Sequence, residues 1–290
     1  MRISLKSVAL ILIAAFVSAF TIEKEKVAYR LFDAKGKVVS YKKMLNEASK
    51  ADVILFGEYH NNPINHWLQY ELTKDIFNLY NQKLILGAEM FEADNQQVLS
   101  DYISGKIDEK EFKEKCRLWP NYSNDYKPLV EFAKKHQLPF IATNVPRKYA
   151  SLLFKQGEAA LMQISEEEKQ WMAPLPFKYD STLKCYKDML TMMGDHSNSN
   201  MPKAQALKDA TMSYFLLKNL KPGHTFIHYN GSYHSNNFES IYWYLKQERP
   251  ELKIITIAAV EQDHVSKLYK ENYNLANFII CTPESMTKTH

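Results

Sequence analysis

The chain has 290 residues, with 37 Lys and Arg against 33 Asp and Glu and a formal charge of +4. A balance this close to neutral gives no electrostatic case for nucleic acid as a partner. Three scattered cysteines, Cys116, Cys185 and Cys281, offer no zinc-thiolate spacing, and their odd number leaves one thiol over whatever the disulfide status.

The first 19 residues read as a secretory signal. Arg2 and Lys6 precede the apolar run from Val8 to Val17, and Val17-Ser18-Ala19 is a small-residue cleavage site. The rest, residues 20–290, has the size of one large α/β domain with an insertion. Residues 52–56 are predicted as a strand and 63–82 as a helix, with Asn61 or Asn62 as N-cap and Pro63 in the first helical position. A strand at 83–88 follows, then helices at 94–104, 108–116 and 124–137 and a strand at 139–143. A helical region begins at 147–155 and runs with breaks to residue 220. Strand 225–229, helix 238–248 and strand 252–258 come next, and 278–281 adds a last strand.

Strands alternating with helices predict an α/β fold, with a mostly parallel sheet carrying helices on both faces. The segment at about 157–201 breaks the rhythm with Pro174, Pro176 and the polar loop 194–200. It is expected to be an inserted helical subdomain that overhangs the carboxyl ends of the strands as a lid.

Two copies of a short motif close two of the apolar runs, Gly57-Glu58-Tyr59-His60 and Gly231-Ser232-Tyr233-His234. In a parallel sheet, strand ends of this kind converge on one crevice. Glu58, His60 and His66 follow the first strand and Glu89 and Glu92 the second. Asn144 and Arg147 follow the third, and Asn230, Ser232 and His234 the strand at 225–229. Imidazoles with carboxylates at these strand ends suit a divalent transition metal. They equally suit metal-free acid/base work, with a histidine as base and a glutamate orienting it. Arg147 would bind a substrate carboxylate or an oxyanion. Glu92 reads as a helix-entry carboxylate, and His136, His196, His224, His228 and His264 as structural or surface residues.

Several of these residues together resemble the ChaN-type haem-binding uptake proteins. The resemblance rests on Gly57-Glu58-x-His60, His66 and Gln69, Glu89-Met90-Phe91-Glu92 with Gln96, and Trp119 with Tyr122 and Tyr126. It continues through Asn144-x-Pro146-Arg147 and Gln205-x-x-Lys208-Asp209-x-x-Met212 to Gly231-x-x-His234, and covers roughly residues 45–260. It implies an α/β domain with a small helical domain, haem as cofactor, tyrosine ligation, a homodimer with two stacked haems, and a place among envelope components of iron or haem uptake. The wider superfamily, which includes Tiki-type metal-dependent proteases, TraB-like proteins and erythromycin esterases, implies a metal-dependent hydrolase built on His60, Glu89 and His234. Many members are lipoproteins, but no lipoprotein cysteine follows the signal here, so a periplasmic or envelope-associated protein is expected. The haem-ligating tyrosine aligns with no motif. Tyr179, Tyr186 and Tyr214, in the helical region, are the candidates.

Overall fold

Buried strand β3 (Val53–Glu58) divides its side chains between two cores. Ile54 and Phe56 face one, Val53 and Leu55 the other, as a period of two requires. The same split recurs in β4 (Leu84–Glu92), where Leu84 and Leu86 oppose Ile85. Strands apolar on both sides must be covered on both sides, and they are. The computed structural model describes residues 26–80, 83–192 and 198–290. The signal expected at 1–19, and residues 194–197 of the polar loop with His196, lie outside the described residues. Among the described residues no helix is long and apolar enough to cross a membrane.

The sheet has eight strands. Besides β3 and β4 they are β1 (Arg30–Asp33), β2 (Val38–Val39), β5 (Phe140–Asn144), β6 (Thr225–Gly231), β7 (Ile254–Gln262) and β8 (Phe278–Pro283). Their order is β2-β1-β8-β7-β3-β6-β4-β5, and the pairings are parallel except those of β1 with β2 and β8. The α/β class and the mostly parallel sheet expected from the sequence are what the structure has. The β1–β2 hairpin was not expected, because two- and four-residue strands carry too little alternation to read.

One face is covered by α1 (Tyr41–Ala48), α2 (Pro63–Tyr80), α3 (Gln96–Ile103), α4 (Glu109–Lys115) and α5 (Lys127–His136). Asn62 caps α2, its Oδ1 accepting from the Ile64 and Asn65 N–H groups at 3.1 and 3.3 Å, with Pro63 in the first turn as predicted. The other face is covered by α10 (Asn200–Asn219) and α11 (Ile241–Glu248), through Met212, Leu216, Ile241 and Leu245. Between β5 and α10 lie α6 (Arg147–Gln156), α7 (Glu158–Met162), α8 (Glu166–Lys169) and α9 (Lys184–Met192). They build small cores of their own, α6 and α7 through Leu153 and Leu161, and α9 through Cys185 and Tyr186 against Ala206 of α10.

The chain leaves β3 into α2 on one face and leaves neighbouring β6 toward α11 on the other. Connections that part to opposite faces open a crevice beyond the carboxyl ends of those two strands.

The backbone just past β6 and that of β7 leave no room for a side chain at Gly57. A Cβ on Gly57 would stand 2.9 Å from Ile257 O, Ser232 Cα and Ser232 Oγ. Gly57→Ala is therefore expected to cost about 1–3 kcal/mol of stability through overpacking. Urea unfolding of variant and wild type checks this, and an unchanged midpoint would show that β3 and β6 can separate.

Candidate functional site

The crevice is built around two imidazoles with different surroundings. His60, just past β3, keeps 40% of its side-chain surface exposed, and its Nδ1 lies 2.9 Å from Glu58 Oε1. Glu58 is 2% exposed and tightly held. Tyr126 OH donates to its Oε1 at 2.8 Å, and Gln69 Nε2 donates to its Oε2. His66 Nε2 donates to the His60 carbonyl at 3.0 Å, while its Nδ1 faces Gln69 Oε1 and Glu58 Oε2 at 3.2 and 3.5 Å. Tyr126 and Asp125 come from a π-helical turn (Tyr122–Tyr126) ahead of α5, the kind of irregularity often found at functional sites.

A strap from the chain's last residues ties this turn down. Thr289 N donates to the Asn61 carbonyl at 3.0 Å and its hydroxyl to Asp125 Oδ2 at 2.7 Å. Asn121 accounts for the rest, bridging Asp125 Oδ2 and the His60 carbonyl, each at 2.7 Å. The backbone carrying His60 is thus fixed from three sides.

His234 is 5% exposed and lies between two carboxylates, with Nε2 at 3.2 Å from Glu89 Oε1 and Nδ1 bonded to Asp209 Oδ1. The Gly231 N–H donates to Glu89 Oε2 at 2.7 Å, Tyr186 OH to Asp209 Oδ2 at 2.8 Å, and Asn144 Nδ2 to the Glu89 carbonyl at 3.0 Å. The two halves touch at Gly231, where a Cβ would fall 2.8 Å from His60 Cε1 and Nε2. Each motif's glycine therefore makes room for the other motif, Gly57 for Ser232 and Gly231 for His60.

Charge follows from this geometry. Burial opposes a proton on His234, but Glu89 and Asp209 outweigh it and raise the pKa to about 10, although burial also pushes the Asp209 carboxyl above its ordinary value, which leaves Glu89 the firmer counter-charge. Burial would likewise raise Glu89, yet His234, His60 and the Gly231 N–H hold it well below the usual carboxylate range. Burial works against the charged form of His60 too, and the Glu58 hydrogen bond with the Glu89 and Glu58 charges carries its pKa above the ordinary value. His228 behaves differently. Burial lowers it to about 4, and it sits neutral between Thr143 Oγ1 and Asn230 Oδ1 at 2.8 and 3.1 Å.

The structure brings together Glu58, His60, Glu89 and His234 of the expected set. It does not bring in Arg147, which is exposed at the first residue of α6 and bonds to none of the crevice groups. A metal on His60, Glu89 and His234 is also at odds with the donor set. Both His234 nitrogens are engaged by carboxylates, the Nδ1 of His60 is taken by Glu58, and among the described residues no three His, Cys, Asp or Glu converge on a metal position. Glu92 pairs with Arg117 at 2.8 Å. Asp209 is the functional residue whose part sequence reasoning missed. The signal available for it was Gln205 and Asp209, four residues apart on one face of α10. Gln205 Nε2 does lie 3.1 Å from the His234 ring.

Of the tyrosines, Tyr186 is 1% exposed and spends its hydroxyl on Asp209, which makes it a positioning group for His234 rather than an open ligand. Tyr179 packs tilted against Tyr186, ring centroids 5.4 Å apart, and burial pushes its phenol up. Tyr214 lines a groove of about 560 Å³ with Pro174, Phe177, Ala210, Leu217 and Tyr244, and Lys178 and Arg249 stand at its rim.

The His234 sandwich has a pH signature. A histidine raised from 6.5 to about 10 stabilises the fold fully below pH 6.5, and that contribution fades as pH climbs through about 10. His234→Gln leaves two buried carboxylates facing each other. It is expected to cost about 3–5 kcal/mol near pH 6, the gap to wild type narrowing toward pH 10. Urea unfolding across that range checks it, and a pH-independent gap would mean His234 is neutral.

Comparison with known proteins agrees with this architecture. The family model for "Haem-binding uptake, Tiki superfamily, ChaN" matches residues 44–245. The solved ChaN of Campylobacter jejuni, described with cofacial haem binding, superposes with a TM-score of 0.67 at 17% identity, over 87% of this chain and 96% of that one. A Bacillus cereus protein superposes at 0.50 with 9% identity, over 94% and 97% of the two chains. These likenesses show the fold. An Arabidopsis thaliana protein, RETICULATA-RELATED 5, chloroplastic, is 24% identical over 231 residues, which is 70% of this chain and 30% of that relative's length. With the family model spanning well over half of its residues, the chain belongs to the haem-binding uptake family of the Tiki superfamily, ChaN.

Proposed function

We propose that this chain binds haem in an exported system for iron or haem acquisition. The observation that carries the reading is the groove beside Tyr214. Its walls are largely apolar and aromatic, as a porphyrin needs, and Lys178 and Arg249, paired here with Glu248 and Glu251, are the lining cations for which propionates would compete. Tyr214 is only partly buried, and its hydroxyl has no hydrogen-bond partner among the described residues. The neighbouring Tyr244 hydroxyl is already committed to the Lys178 carbonyl at 2.5 Å. A tyrosine phenolate is an established ligand for haem iron, and the bound haem would supply that iron centre. Tyr214 would ligate, the groove walls would exclude water, and the rim cations would orient the propionates. Tyr179 is the alternative ligand.

Export is supported by the signal-like first 19 residues, and an envelope or periplasmic setting with uptake components as partners follows from it. A homodimer is the arrangement in which two copies could bring two haems face to face, as the Campylobacter protein's description suggests. The segment at about 157–201 would cover the end of the crevice, held there by Tyr186 on Asp209 and by Tyr233 on the Cys185 carbonyl.

Haemin titration tests the reading. Wild type is expected to bind at micromolar concentration with a ferric-tyrosinate spectrum, while Tyr214→Phe weakens binding by about tenfold or more, one lost iron ligand being worth at least 1.4 kcal/mol. A flat titration of the wild type overturns it.

A second reading is favoured by His60 itself, a half-exposed imidazole oriented by a buried carboxylate. That is the arrangement of a metal-free general base with its positioning partner. Under it, ester hydrolysis should rise with pH as His60 loses its proton above the ordinary histidine range. It should fall about 10²–10⁴-fold in His60→Gln while surviving in Tyr214→Phe. Hydrolysis unaffected by His60→Gln would discard this reading.

A further inference from the structure

A second hollow lies at the same edge of the sheet, three strands away from Glu58. Because β1 runs antiparallel to β8, its first residue, Arg30, sits opposite Cys281 near the carboxyl ends of the parallel strands. Three strand spacings put it about 14 Å from β3. The hollow measures about 540 Å³, and its polar lining is Lys26, Arg30, Asp263, His264, Ser266 and Ser285.

The charges there do not cancel. Asp263 is occupied by its own neighbours. Its Oδ1 accepts from the His264 N–H at 2.9 Å and from the Tyr269 hydroxyl, and its Oδ2 faces His264 Nε2 at 3.4 Å. Arg30 has no carboxylate within salt-bridge distance among the described residues. Its Nε is sealed from solvent without an acceptor. Of the other described arginines, Arg117 pairs with Glu92 and Asp94 and Arg249 with Glu251, while the exposed Arg147 has no salt-bridge partner among the described residues. The terminal guanidinium nitrogens have no hydrogen-bond partner among the described residues and are not sealed like Nε, so they are the donors an acceptor in the hollow would meet. The Ser266 and Ser285 hydroxyls make no side-chain hydrogen bond among the described residues and are free to donate.

We propose that this hollow is an oxyanion-binding site, in which a carboxylate or phosphate group takes the Arg30 fork, with Lys26 adding charge and the two serines donating hydroxyl hydrogen bonds. The planar pair of terminal nitrogens suits a two-oxygen acceptor better than a halide. The site is separate from the Tyr214 groove and does not depend on haem.

The experiment is calorimetric titration of the full chain with inorganic phosphate and, separately, with succinate, at fixed ionic strength in chloride. Saturable binding of at least one of them at millimolar concentration is expected, and the stronger of the two identifies the ligand class. Arg30→Gln should weaken it about tenfold or more, since a hydrogen bond to a charged group is worth that much. Arg30→Lys, which keeps the charge and loses the fork, should weaken it too, and it decides the matter if Arg30→Gln does not fold. Lys178→Ala, in the Tyr214 groove, should leave anion binding unchanged. Failure of both anions to saturate, or equal binding by the folded Arg30 variants, overturns the proposal, whatever the outcome with haemin.

Discussion

The site depends on how closely the ends of β3 and β6 approach each other. Two parallel strands are held at hydrogen-bonding distance through Glu58 and Gly231, and the side chains that follow must share the space beyond them. Glycine at 57 lets Ser232 lie against β3, where its Oγ accepts from the Ala259 N–H at 3.0 Å and locks β7 to the same corner. Glycine at 231 lets the His60 ring lie against β6 and frees an N–H for Glu89. Both motifs are thus needed to form one corner, which is why the pair carries meaning that neither copy has alone.

That corner concentrates charge that the fold must compensate. Glu58, Glu89 and Asp209 are all buried. A buried carboxylate without partners is prohibitively expensive. Each of the three has a histidine and at least one further donor: Tyr126 and Gln69 for Glu58, the Gly231 N–H for Glu89, Tyr186 for Asp209. The aromatic hydroxyls supply neutral donors to carboxylates where a lysine or arginine would have to be buried whole. This accounts for part of the chain's high tyrosine content, and it removes Tyr126 and Tyr186 from the pool of groups open to an incoming ligand.

Much of this was legible in the sequence, for identifiable reasons. The central strands read well because each is an apolar run ended by polar residues, and the histidines and glutamates at those ends converge because parallel strands share one carboxyl edge. Asp209 was less readable as a partner of His234, since its place is fixed by the long connection through α6 to α9 and not by local pattern. The metal expectation finds no support in the donor set of the described residues, for a related reason. Residue types at strand ends say which donors are near, but not that a second carboxylate would occupy the remaining nitrogen of His234. Arg147 misled because the strand end it follows, that of β5, lies at the sheet's margin, and the α6 backbone turns its first residue out to solvent.

Helix α10 joins the two places where ligands are proposed to act. It is buried along most of its length and carries three sets of contacts. Met212 and Leu216 pack on the sheet. Gln205 and Asp209, one turn apart, reach His234. Ala210, Ser213, Tyr214 and Leu217 recur at helical spacing along the groove. A rigid helix cannot shift one of these sets without shifting the others. Asp209 holds His234 through a charged hydrogen bond, whose strength depends steeply on position in a site this dry. Asp209 at the crevice and Tyr214 at the groove are thus placed by one helix, although the two sites share no side chain.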